Sequence, residues 1–217
     1  MTGRPGADKA APARATGIVL AGGRSTRFGG DKLAAEIDGQ PLLHRAIRAV
    51  AEVTAEVVVV VAPGVPPPVP PCDVVVPVVV AHDAIAGQGP LAGLAAGLAA
   101  ASQPFAVLVG GDQPSLRPAL LGELLRWLEP TAGGPDLDVV GLEEDGRLRA
   151  LPVALRVATA RPAAAVALAG GTRSLVGLFG RLRAGVLEPE RWCAFDPAGD
   201  SLRDVDTRDD LPRRPPA

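Results

Sequence analysis

Gly17-Ile-Val-Leu-Ala-Gly-Gly-Arg-Ser-Thr-Arg-Phe-Gly-Gly-Asp-Lys-Leu33 is the stretch that decides the fold. A β-prone run, Ile18 to Ala21, feeds directly into a loop holding Gly22, Gly23, Gly29 and Gly30, with the cations Arg24, Arg27 and Lys32 set among the glycines. Glycine admits positive φ and lets the backbone come close to a ligand. Successive N–H groups in such a turn can form an anion-binding concavity. These residues describe a triphosphate cradle at the end of a first strand. Neither the G-x-x-x-x-G-K-[ST] nor the G-x-G-x-x-G pattern is present, so the P-loop and dinucleotide templates do not apply. The competing account is a Gly/Arg surface loop that binds nothing; the position directly after an apolar strand favours the cradle.

Outward from the loop, apolar and polar runs alternate. Pro41 is placed to start a helix, along which Leu42, Leu43, Ala46, Ile47, Val50 and Val53 recur at helical spacing. The valine run in Glu56–Ala62 is continuous, as in a strand buried on both faces of a parallel sheet. A proline-rich connector, Pro63–Pro71, follows. The next valine run, Asp73–Ala81, contains Pro77, which cannot donate to a ladder and marks an edge strand. An Ala/Leu/Gly helix to about Ala101, a strand Phe105–Val109 and a helix from Arg117 to about Leu128 complete the first half. Beyond Gly133-Gly134-Pro135 the pattern predicts a hairpin-like pair around Glu143–Gly146, helices over about 159–169 and 173–183, and a strand near Cys193–Phe195. Strands alternating with helices predict an α/β, doubly wound, mostly parallel sheet. The expected organisation is a disordered leader over 1–15, one domain over 16–211 made of a nucleotide-binding half (about 16–130) and a second half (about 131–211), and a frayed tail over 212–217.

In a doubly wound sheet of order 3-2-1-4, ligands bind outside the carboxyl ends of strands 1 and 4, where the order reverses. The glycine loop leaves strand 1 and Asp112 leaves strand 4, so the two should be spatial neighbours. Magnesium takes one or two carboxylates and completes its octahedron with phosphates and water, which makes Asp112 the candidate metal ligand. A turn-forming aspartate ahead of Pro114 is the alternative. Asp83 and Gly89-Pro-Leu-Ala-Gly93 could touch a ribose or base; on residue types alone a plain loop before a packed helix fits as well.

Composition narrows the class. With 217 residues, a net charge of −2 and a pI near 5.7, the chain lacks the basic face of a nucleic-acid binder. No apolar run reaches the ~20 residues of a membrane span. Cys72 and Cys193 match no metal or redox spacing, which suits a reducing cytoplasm. His44 and His82 are the only histidines, and neither is placed as a general base.

Leu20-Ala-Gly-Gly-Arg-Ser-Thr-Arg-Phe-Gly-Gly-Asp-Lys32 resembles the signature loop of the molybdenum cofactor guanylyltransferases, Leu-Ala-Gly-Gly-x-Ser-x-Arg-Met-Gly-x-Asp-Lys, with Phe28 in place of Met. Gly89-Pro-Leu-Ala-Gly93, Asp112-Gln-Pro114 and Asp204-Val-Asp-Thr207 follow in that family's order, so the resemblance covers 18 to about 211. It implies a Rossmann-like, three-layer nucleotidyltransferase fold. It also implies transfer of GMP from GTP to a molybdopterin-type cofactor with release of pyrophosphate. By motif, Leu20, Ala21, Gly22 and Lys32 would contact GTP, with Gly23 and Gly89 beside them, as would Asp83 and Asp112, the latter also on Mg²⁺. Lys32, Arg27 and the metal would stabilise charge at the α-phosphate and the departing pyrophosphate. Arg147, Arg149, Arg173 and the Asp204–Thr207 segment are candidates for the acceptor's phosphate. The family implies transient contact with molybdoenzymes or cofactor-biosynthesis proteins.

The chain departs from the resemblance at two further places. Asp204 and Asp206 stand where relatives often carry Asn, and Val61-Ala62-Pro63-Gly64 lacks an Asn common after the second strand. Three rival functions stay open: a cytidylyltransferase for the same cofactor, a nucleotidyltransferase for a sugar phosphate or phospholactate, and a non-catalytic nucleotide-binding module. Cytidylyltransferases tend to read Leu-Ala-Ala-Gly where this chain has Leu20-Ala21-Gly22-Gly23, and they lack Gly-Pro-Leu-Ala-Gly. Both differences favour GTP. The presence of both Lys32 and Asp112 argues against a retired enzyme.

Overall fold

The valine run of Glu56–Ala62 becomes a strand buried from both sides, whereas the run of Asp73–Ala81 ends in a partly exposed strand. The computed structural model describes residues 14–22, 32–83, 88–129 and 136–211. β1 (Ala15–Leu20) is followed by a miniature hairpin, β2 (Glu36–Ile37) and β3 (Gln40–Pro41), and by α1 (Leu42–Ala51). Then come β4 (Glu56–Val61), β5 (Val78–His82), α2 (Pro90–Ala100), β6 (Phe105–Gly110) and α3 (Pro118–Leu128). The second half holds β7 (Val139–Glu144), β8 (Arg147–Arg156), α4 (Val157–Ala169), a short α5 (Leu175–Phe179), β9 (Ala184–Leu187) and α6 (Pro189–Trp192).

Seven strands form one sheet in the order β5-β4-β1-β6-β8-β7-β9. β5, β4, β1 and β6 run parallel, which is the expected 3-2-1-4 arrangement. β8 alone is antiparallel, wedged between β6 and β7, while β9 pairs parallel with β7. β5 is the edge, and Pro77 lies just ahead of it, where its carbonyl accepts the Val57 amide at 2.8 Å. Alternation along β4 sends Val57, Val59 and Val61 into a core shared with α1 and α3. Val58 and Val60 enter a second core shared with α2 and α4. Helices on both faces make three layers.

α2 lies close on the sheet because it is built of small residues. A Cβ placed on Gly97 would come 2.5 Å from Ile18 Cγ2 and 3.2 Å from Val60 Cγ2. Gly97→Val is therefore expected to lower stability by about 3 kcal/mol through overpacking, read as a fall in the urea midpoint. Gly122→Ala on α3, where the nearest atom would be 3.9 Å away, should instead gain up to about 1 kcal/mol of helix propensity.

Several sequence-based expectations need correction. Ala15, assigned to the leader, opens β1 and is 1% exposed; residues 1–13 and 212–217 lie outside the described residues. Pro41 is the N-cap of α1 rather than its first helical residue. The helix expected over 173–183 is only α5, capped by Ser174 and closed at Gly180. The strand expected near Cys193–Phe195 is a turn: α6 precedes it, and Cys193 and Phe195 donate back to the Pro189 and Trp192 carbonyls. Trp192 pins that helix down, buried and donating Nε1–H to Glu143 O at 3.0 Å. The strand of this region is β9. Among the described residues no helix is long and apolar enough to cross a membrane.

Candidate functional site

The carboxyl ends of β1, β4 and β6 are tied together by their own backbones. Leu20 O accepts the Gly111 amide at 2.9 Å, and the Ala21 amide donates to Val60 O at 2.7 Å. β1 thus delivers Leu20, Ala21 and Gly22 to the place where the strand order reverses. Gly23 and Arg27 fall outside the described residues.

Lys32 opens a single 3-10 turn, Lys32–Ala34, and is 9% exposed. Its Nζ donates to Asp112 Oδ2 at 2.9 Å, across eighty residues of sequence. Lys32 and Asp112 thus meet where the strand order reverses. Asp112 follows β6 at a tight corner, where a Cβ on Gly110 would collide with Asp112 Oδ1. The corner is braced by Gln113, fully buried, whose Oε1 accepts from Gly110 N at 2.7 Å and whose Nε2 donates to Ser201 O at 3.1 Å.

A second carboxylate reaches the same ammonium. Lys32 Nζ also donates to Asp206 Oδ1 at 2.9 Å. The segment carrying Asp206 is fastened to β6, since the Val205 amide donates to Asp112 O at 3.0 Å. Val205 itself is 4% exposed, packed with Ile37 and Leu42. Upstream, the fully buried Asp196 accepts the Asp200 and Ser201 amides, and Ser201 Oγ accepts the Arg117 amide. Sequence reasoning assigned Asp204–Thr207 to the acceptor and missed this pairing with Lys32. One local signal was available: an apolar residue between two aspartates, in extended chain, sends both carboxylates to the side opposite the core.

Burial would lower the pKa of Lys32, but the hydrogen bonds and charges of Asp112 and Asp206 outweigh it and hold the ammonium above its ordinary value. Asp204 leaves 41% of its side chain exposed, yet desolvation of its carboxyl raises its pKa, Asp112 adds in the same direction and Arg149 opposes them. The site is thus a protonated lysine held against a group of carboxylates.

The other candidates lie on the rim. Asp83 follows β5, its amide donating to Val61 O at 2.9 Å. Gly89 stands before α2 with φ of 84°, and a Cβ there would come 2.8 Å from Arg173 O; only glycine fits. Arg173 O also accepts the Leu91 amide at 3.2 Å, so Arg173, exposed, flanks the Gly89–Gly93 turn. Arg147 is exposed at the start of β8. Arg149 is engaged by protein acceptors. Among the described residues no three His, Cys, Asp or Glu side chains are grouped to hold a metal by themselves. A cation relying on phosphates and water for most of its ligands needs no such cage, and Asp112, with 32% of its side chain exposed, fits as its protein ligand.

Residues 17–184 match the family model described as a MobA-like NTP transferase domain. A probable molybdenum cofactor guanylyltransferase of Chloroflexus aggregans is 34% identical over 199 residues, covering 90% of this chain and 91% of that protein. A molybdenum cofactor guanylyltransferase of Cupriavidus necator is 34% identical over 164 residues, 74% of this chain and 79% of that one. The solved molybdopterin-guanine dinucleotide biosynthesis protein A of Archaeoglobus fulgidus superposes with a TM-score of 0.70 at 21% identity, over 90% of this chain and 94% of its own. That likeness establishes the doubly wound fold.

Proposed function

We infer the function from one premise, that this chain belongs to the MobA-like NTP transferase family: it transfers GMP from GTP to a molybdopterin-type molybdenum cofactor and releases pyrophosphate. The observation that carries this proposal is Lys32 held beside Asp112 at the switch point of the sheet, in a chain that matches guanylyltransferases over nearly its whole length. An oxygen of the acceptor's phosphate forms the new bond to the α-phosphorus of GTP, and the bond from that phosphorus to the pyrophosphate oxygen breaks. The nucleophile is already anionic, so the protein supplies position and charge rather than a general base.

The residues divide that work. The backbone of Leu20, Ala21, Gly22 and Gly23 cradles the triphosphate. Two of the three donors on the Lys32 ammonium go to Asp112 and Asp206, and the third serves a phosphate oxygen, with Arg27 acting alongside. Asp112 holds Mg²⁺, which when bound neutralises charge on the phosphates. Asp83 and Gly89 line the nucleoside end, and Arg147, exposed at the start of β8, meets the acceptor's phosphate. The two free thiols, Cys72 and Cys193, suit work in the cytoplasm, where the product would pass to molybdoenzymes by transient contact.

With molybdopterin supplied, GTP and Mg²⁺ are expected to give pyrophosphate at a rate at least about tenfold above CTP, the discrimination a single lost polar contact provides. Faster release with CTP would reassign the nucleotide. Tight GTP binding without pyrophosphate release for any acceptor would favour a non-catalytic module.

A further inference from the structure

Arg149 is a candidate for the acceptor's phosphate by type, but its surroundings give it another task. All three guanidinium nitrogens have protein acceptors. Nε donates to Leu151 O at 3.2 Å, Nη1 to the Glu144 carboxylate, and Nη2 to Leu202 O at 2.7 Å. Asp204 Oδ2 lies 3.7 Å from Nη2, and the side chain is 23% exposed. A guanidinium has five N–H donors in a fixed fork, and one committed in this way is poorly placed to turn toward a ligand.

What Arg149 holds is the segment that brings Asp206 to Lys32. Asp112 and Asp206 share one ammonium, Asp204 feels the charge of both carboxylates, and their mutual repulsion works to lift the segment away. Arg149 answers this from β8, gripping the Leu202 carbonyl and setting a second positive charge against Asp204. We propose that Arg149 is a positioning residue: it seats residues 202–206 so that Asp112 and Asp206 together fix the Lys32 ammonium. The proposal rests on the function above only in giving Lys32 a catalytic task.

The test compares the full chain with Arg149→Ala, Arg149→Lys and Arg149→Ala/Asp204→Asn. Steady-state pyrophosphate release and amide hydrogen exchange over 203–207 are both measured. Arg149→Ala should lower kcat by about tenfold or more, as a small misplacement of a catalytic group does. The acceptor KM should stay within about twofold, and the amides of Val205 and its neighbours should exchange faster. Adding Asp204→Asn should restore most of kcat and slow the exchange again, because the unbalanced carboxylate is gone; simple loss of packing would not be repaired this way. Arg149→Lys, keeping the charge without the fork, should fall between. A tenfold rise in acceptor KM at unchanged kcat would make Arg149 a substrate ligand and overturn the proposal, as would a double variant no better than Arg149→Ala. If the wild-type chain releases no pyrophosphate from any nucleotide, the functional proposal fails, and the exchange comparison alone still decides the role of Arg149. Unchanged exchange in Arg149→Ala overturns it.

Discussion

Lys32→Ala is expected to lower pyrophosphate release by about three orders of magnitude, the upper range for loss of a preorganised charge at a reacting phosphate, while the far-UV spectrum stays that of the wild type. The two outcomes separate because of where Lys32 sits. Its ammonium is enclosed, but the carboxylates it would leave behind are not: Asp112 keeps 32% and Asp206 64% of their side chains exposed. Water can solvate both when the lysine is gone, so the unpaired-charge penalty that follows removal of one partner from a fully buried pair does not arise in full. A modest loss of thermal stability beside a near-total loss of turnover is the signature. Near-normal turnover in the folded variant would remove Lys32 from the chemistry.

Asp112→Asn should cost about a hundredfold or more in kcat and make the residual activity depend weakly on magnesium, since a neutral amide is a poor ligand for a hard cation. The substitution keeps shape, and the carbonyl that accepts the Val205 amide belongs to the backbone and survives. The 202–206 segment should therefore stay seated, and the loss is assigned to the carboxylate. A magnesium titration of initial rates distinguishes the cases: an unchanged midpoint with unchanged kcat would place the metal elsewhere.

The first half of the molecule was legible because each of its four parallel strands is announced by a local run. Five valines in a row need two apolar faces, and Pro77 needs an edge. From these the order 3-2-1-4 followed, and from the order came the meeting of Lys32 with Asp112. The second half was harder because distant partners decide it. β9 contains Gly185, whose absent Cβ makes room for Leu137, and the chain enters it from Arg183, held to Asp138 at 2.9 Å. Nothing within Ala184–Leu187 signals a strand without those neighbours. Glu123 sits on the inner side of α3 among leucines, 5% exposed, and is satisfied by Arg126, Trp127 and Arg191, the last from α6. Asp206 likewise owes its place to distant partners, among them Asp112, whose carbonyl accepts the Val205 amide, and Lys32. Side chains whose role depends on elements far along the chain carry at most a faint local mark of it, such as the apolar residue between Asp204 and Asp206.

The one reversed strand has a further consequence. β8 lies in the second half of the chain, yet it is the strand that hydrogen-bonds to β6, with Val107 opposite Ala154 and Leu108 opposite Val153. Exchanging everything after residue 135 for another protein's counterpart would trade away the neighbour of β6 and with it the footing of Asp112. The cluster of Lys32, Asp112 and Asp206 draws on both halves of the chain, so neither half can be exchanged without disturbing it.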